Sequence, residues 1–160
     1  MKELGITLNI FDENAEIANI RMPLYDGDFE DTHGAPPEAR LLAKQIAAAK
    51  AIIIATPEYN KSIPGGLKNA LDWVSRLDRK PWLDKPVSII SAAAGRSGGE
   101  RSQYALRLAL SPFGPRLLTG REVLIGNAAS AFDENGHLSN ERSLKALELN
   151  INALKDLIAN

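Results

Sequence analysis

The sequence predicts an α/β fold, a parallel sheet wound by helices on both faces. Three observations carry that reading. Two short runs, Ala51–Thr56 (AIIIAT) and Pro86–Ala93 (PVSIISAA), are largely apolar and rich in β-branched residues, as strands buried on both faces are. Other stretches place apolar residues at helical spacing. The two kinds alternate along the chain, and such alternation implies parallel pairing through helical crossovers.

Taken in order, Gly5–Asp12 sets Ile6, Leu8 and Ile10 against Thr7 and Asn9, a strand pattern of period two. Ala15–Pro36 has no sustained period and carries Pro23, Gly27, Gly34 and Pro36, so it reads as a loop. Its acidic run Asp26–Asp31 reads as a solvated surface. Pro37 suits the first turn of a helix, with Leu42, Ile46 and Ala49 on one face. After the strand Ala51–Thr56, Pro64–Ser75 is a helix with Leu67, Ala70, Leu71 and Val74 at helical spacing. Arg76–Pro86 is a charged loop, and Pro86–Ala93 the next strand. Gly99–Leu110 is a helix whose stripe runs Leu106, Ala109, Leu110 and on to Phe113, with Ser111–Pro115 breaking it. Arg121–Ile125 is a shorter fourth strand. Asp133–Gly136 is a turn. Asn140 then caps a last helix bearing Leu144, Leu147, Ile151, Leu154 and Ile158.

Composition bounds the function. The length of 160 residues fits one domain, 1–160. With 19 Lys+Arg against 20 Asp+Glu there is no basic excess to bind nucleic acid. The longest clean apolar run, Ala51–Ala55, is far too short to span a membrane. The chain has no cysteine, which excludes disulfide frameworks, thiolate metal sites and cysteine nucleophiles. No secretory leader is recognisable, so the expected setting is the cytoplasm. The two histidines, His33 and His137, stand beside glycines and read as exposed loop residues rather than metal ligands. The Rossmann dinucleotide fingerprint, the phosphate loop and the His-Glu-x-x-His motif are all absent.

In open parallel sheets, ligands gather beyond the carboxyl ends of the strands. The segments of interest therefore follow Thr56, Ala93 and Ile125. Pro57–Gly66 (PEYNKSIPGG) is stiffened by two prolines and carries an aromatic ring, a carboxylate and an amide. It suits a planar ligand, and it equally suits a plain strand-to-helix turn. Ala94–Glu100 (AGRSGGE) lets the backbone approach a ligand closely, or lets the next helix pack tightly. It also matches Gly-x-Ser-x-Gly, with Ser97, Asp133 and His137 in the chain order of α/β-hydrolases. A serine hydrolase is thus a remote alternative, awkward because His137 lies only four residues from Asp133.

The run Ala55–Trp73 (ATPEYNKSIPGGLKNALDW) closely resembles the signature of the NADPH-dependent FMN reductase family, which is flavodoxin-like and includes quinone, azo-dye and chromate reductases. Lys85–Ala92 followed by Gly95–Gly99 resembles the family's fourth strand and glycine-rich loop, and Met22–Tyr25 its segment after the second strand. The resemblance runs over nearly the whole chain. It implies a flavodoxin-like doubly wound parallel sheet, with FMN as cofactor and NADPH or NADH as co-substrate. Hydride would pass through the flavin to a quinone-like or other small-molecule acceptor, the cofactor supplying the difficult chemistry. Pro57, Glu58, Tyr59, Asn60 and Ile63 would edge the isoalloxazine, with Tyr59 and Asn60 at the ring. Ala93, Ala94, Gly95 and Arg96 would flank it, and no catalytic acid–base side chain is required. A homodimer or homotetramer is implied, with the helix bearing Lys68, Asp72 and Trp73 a candidate contact and Trp73 equally a candidate for the core.

One departure stands out. The family's opening strand, Gly-Ser-Leu/Ile-Arg loop and first helix, which hold the FMN phosphate, have no match here. The expected sheet therefore lacks the usual first strand and first helix. A longer working protein, a truncation closed by direct pairing of the second and third strands or by a partner, and a non-catalytic scaffold that has lost FMN all remain open.

Overall fold

The computed structural model describes residues 15–78, 80–120 and 122–159. The expected first strand, Gly5–Asp12, lies outside them. The sheet comprises β1 (Ile52–Thr56), β2 (Pro86–Ala92), β3 (Arg116–Leu117) and β4 (Val123–Ile125), and every pairing is parallel. The middle strand is β2. On one side β1 runs in register from Ile52↔Val87 to Thr56↔Ser91. The other side is shared, with β3 beside the start of β2 and β4 beside its end, where Ala92 faces Ile125. This is the 3-4-5 half of the order 2-1-3-4-5.

The helices are α1 (Gly27–His33), α2 (Pro37–Ala48), α3 (Gly65–Ser75), α4 (Glu100–Leu110), α5 (Ala128–Ala131) and α6 (Glu141–Ala159). Alternation along the strands divides the core in two. Ile54, Val87 and Ile89 face α2, α3 and α4, meeting Leu42, Ile46, Leu71, Val74, Leu106 and Leu110. Ile90, Val123 and Ile125 face α6, meeting Leu147 and Ile151. Two serines of β2 follow the same alternation. The Ser88 hydroxyl bonds Asn150 of α6 at 2.6 Å, and the Ser91 hydroxyl donates to the Gly98 carbonyl on the α4 side at 2.6 Å. Six of the seven residues of β2 are buried, as a strand covered on both faces must be. In β1 only Ile54 and Thr56 are buried and Ala55 is exposed. Among the described residues β1 pairs along one edge only, so the double cover expected of it is partial.

Two local expectations are corrected. Ala15–Pro36 is not all loop, because Gly27–His33 is helical. Asp26 caps it by accepting from the Phe29 N–H at 3.0 Å, acids fill its first turn, and Gly34 ends it at φ 72°. No residue of α1 is buried, so there is no apolar stripe to read. It is anchored instead by Glu30, which accepts from Arg76 at 2.9 Å, and by Phe29 set edge-on to Trp73. The fourth strand is Val123–Ile125, with the two-residue β3 ahead of it. Helix α5 is a single turn, too short for periodicity. Trp73 belongs to the core: it is fully buried, and its indole N–H donates to the Pro23 carbonyl at 2.8 Å. Asn69 donates to the same carbonyl and accepts from the Tyr25 N–H. Together they clamp the Pro23–Tyr25 strap onto α3.

Candidate active site

Because Thr56 pairs with Ser91, the chain leaves β1 and β2 side by side at their carboxyl ends. The two predicted ring segments, Pro57–Ile63 and Ala93–Arg96, therefore rise from adjacent strands. The loop after β4 joins them as a third wall.

The first segment is a miniature hairpin. Tyr59 and Ser62 exchange both backbone hydrogen bonds, N–H to O at 2.9 and 3.0 Å. Asn60 and Lys61 form its tip at φ 50° and 65°, the two left-handed residues that a tight type I′ connection demands. Asparagine tolerates that region; lysine is strained in it. The fold keeps Tyr59 54% exposed, with Asn60 exposed beside it and Pro57 half-buried at the root. Ile63 turns to the other side, against the core and into a groove shared with Ala105, Leu108 and Ala109 of α4. The Glu58 carboxylate also leans away from the tip. It accepts from the Arg101 backbone N–H at 3.2 Å and lies 3.8 Å from the Arg101 guanidinium.

The second segment is fixed by the Ala93 N–H and by its carbonyls, and leaves its later donors free. The Ala93 N–H donates to the Ile125 carbonyl at 3.0 Å, extending the β2–β4 ladder by one step. The Ala93 carbonyl accepts from Ala128 at 3.1 Å, and the Gly95 carbonyl from Asn127 at 3.2 Å. The N–H groups of Ala94, Gly95 and Arg96 have no acceptor among the described residues. A Cβ at Gly95 would meet nothing within 4 Å, so the space at that position is open. Exposed backbone donors beside an exposed aromatic ring fit the polar edge and face of a planar heteroaromatic such as the flavin ring.

Sequence reasoning singled out the segment after Ile125 as a place to look without assigning any of its residues. Gly126, Asn127 and Ala128 hold the ring strip from behind, and the signal was the Gly-Asn pair directly after a strand, with Asn127 left-handed at φ 49°. It also missed the buried support below. Gln103 donates to the Ser91 hydroxyl and to the Val123 carbonyl, both at 2.9 Å. This bond set ties α4, β2 and β4 together under Gly98.

Among the described residues no hydrogen bond joins Ser97 to Asp133 or His137, so the hydrolase arrangement is not assembled. Asp133 and His137 pair within one turn, where Asp133 accepts the His137 backbone N–H at 2.8 Å and the imidazole Nδ1 stands 3.5 Å from its carboxylate. Ser97 is not among the residues at positive φ and so lacks the strain of a nucleophile elbow. His33 stacks on Phe29 at the end of α1.

The model of the NADPH-dependent FMN reductase family matches residues 1–130. The chain is 41% identical over 143 residues to the NAD(P)H-dependent FMN reductase PA1204 of Pseudomonas aeruginosa, covering 89% of this chain and 76% of that protein. It is 38% identical to a quinone reductase of Escherichia coli, covering 86% and 73%. Among solved structures it resembles FerB, a flavoenzyme NAD(P)H:(acceptor) oxidoreductase from Paracoccus denitrificans, with a TM-score of 0.79 at 30% identity over 90% of this chain and 79% of that one. With its flavodoxin-like parallel sheet, the chain belongs to the NADPH-dependent FMN reductase family, enzymes with FMN as cofactor and NAD(P)H as co-substrate.

Proposed function

We propose that this protein takes a hydride from NAD(P)H and passes the electrons to quinone-like acceptors, at a site formed by Pro57–Ile63 and Ala93–Arg96. The carrying observation is the pair of adjacent loops, one offering the exposed Tyr59 ring and the other the free N–H groups of Ala94, Gly95 and Arg96. Bound FMN supplies the hydride and electron transfer chemistry. Tyr59 and Asn60 hold the ring at the hairpin tip, and the Ala94–Arg96 donors meet its polar edge. Pro57 fixes the hairpin root. The quinone class is taken from the relatives named for quinone reduction. The setting is the cytoplasm, where NAD(P)H is at hand. Its oligomer is a homodimer joined through the α3–α4 face, with Leu108 76% exposed on it.

An FMN titration followed by flavin fluorescence tests the site. Saturable binding is expected, with NADPH bleaching the bound flavin and 1,4-benzoquinone restoring its colour. Tyr59→Ala and Asn60→Ala should each weaken FMN by about tenfold, the scale of one lost aromatic or hydrogen-bond contact. A folded chain that takes up no FMN would favour the non-catalytic scaffold. FMN binding untouched by both substitutions would remove Tyr59 and Asn60 from the ring.

A further inference from the structure

We propose that Glu58 is a positioning residue that fastens the Pro57–Ile63 hairpin to the first turn of α4 and so sets the gap between the two ring loops. The inference rests on the flavin reading above. It starts from an unusual helix end. The N-cap of α4 is Gly99, left-handed at φ 89°, with no side chain to satisfy the first N–H groups of the helix. Glycine is required there, because a Cβ would meet the Ser91 side chain at 2.9 Å. The cap is supplied instead from another loop. Glu58, 43 residues away in sequence, accepts the N–H of Arg101, the second residue of α4. Carboxylates are favoured at such helix starts.

Both ends of this contact belong to the site. On one side Glu58 directly precedes Tyr59, which closes the hairpin with Ser62. On the other, the first turn of α4 continues straight back into Gly95–Gly99, where the Gly98 carbonyl is pinned by Ser91. The Glu58 side chain is 14% exposed whereas that of Arg101 is 61% exposed. The backbone hydrogen bond, rather than the screened ion pair, therefore carries the brace.

The test compares Glu58→Ala, Glu58→Gln and Arg101→Ala in the full chain. The readouts are FMN affinity, the visible spectrum of the bound flavin, and hydrogen exchange of the Arg101 amide in flavin-free protein. Glu58→Ala should weaken FMN by about tenfold or more, the factor a hydrogen bond to a charged group carries. It should also speed Arg101 exchange and shift the flavin spectrum, with the melting temperature nearly kept. Glu58→Gln still offers an oxygen to the Arg101 N–H, and Arg101→Ala keeps that N–H, so both should bind FMN within about threefold of the parent. Equal loss in Glu58→Gln and Glu58→Ala would overturn the proposal in favour of a carboxylate acting on the ligand directly. Unchanged FMN affinity in Glu58→Ala would overturn it too, leaving the flavin site standing. A parent chain that binds no FMN defeats the flavin reading itself, and this role with it.

Discussion

Asp133 shows how one exposed carboxylate acquires a pH-dependent structural role. It accepts backbone N–H groups from His137 at 2.8 Å and Asn135 at 2.9 Å, and the His137 imidazole stands beside it. The His137 backbone bond foremost holds its carboxyl below the ordinary value of 3.8. A depressed folded pKa means that the unfolded chain takes up the proton first on acidification. The stability that Asp133 contributes is therefore complete above the ordinary value and is lost as pH falls through the depressed one. Asp133→Asn should lower the melting temperature at neutral pH, with the gap to the parent closing as pH drops below 3.8. A gap that stays constant between pH 7 and acid would show that the charge is not what matters.

Between elements, the glycine-rich loop and β4 interlock backbone to backbone. A Cβ on Gly98, which sits at φ 61°, would lie 2.6 Å from the Leu124 carbonyl carbon and 2.8 Å from the Ile125 nitrogen. Neither neighbour can swing aside as a side chain would. Gly98→Ala should thus cost about 2 kcal/mol or more, combining backbone strain with overpacking. Urea denaturation reads this as a lower midpoint with an unchanged slope. An unchanged midpoint would mean that the loop moves freely off β4. The same interlock explains what could be read in advance. The strands β1 and β2 and the helices α2, α3, α4 and α6 were legible because each buries an apolar run or stripe. Helix α1 was not, since it buries nothing and depends on Asp26, Glu30 and Arg76. The hairpin and the glycine-rich loop stood out by their residue types. That Glu58 reaches α4, and that Asn127 supports Gly95, are facts of three-dimensional neighbourhood, linking residues 43 and 32 positions apart, so that a local pattern marks the turn at Asn127 and not the partner it holds.

At the scale of the whole molecule, the α3–α4 face presents an uncovered apolar surface among the described residues. Ile63, Ala105, Leu108 and Ala109 line one groove there, and it adjoins a second lined by Leu77, Trp82, Pro112 and Phe113. A large aliphatic side chain as bare as Leu108, set in a continuous apolar face, suits self-association about a two-fold axis. Lys68 and Asp72, paired at 2.7 Å across one turn of α3, supply a polar flank. Because Ser62 and Ile63 of the hairpin line the same groove, closing this face would also steady the hairpin. Sedimentation of the full chain should give a dimer, and Leu108→Glu, which sets like charges near each other across the axis, should shift it toward monomer. FMN affinity should fall with it, and in the parent it should weaken on dilution through the dimer–monomer transition. A parent that is monomeric at all concentrations, or a Leu108→Glu dimer as firm as the parent, would place the subunit contact elsewhere. A monomeric Leu108→Glu variant with parental FMN affinity would separate the flavin site from assembly.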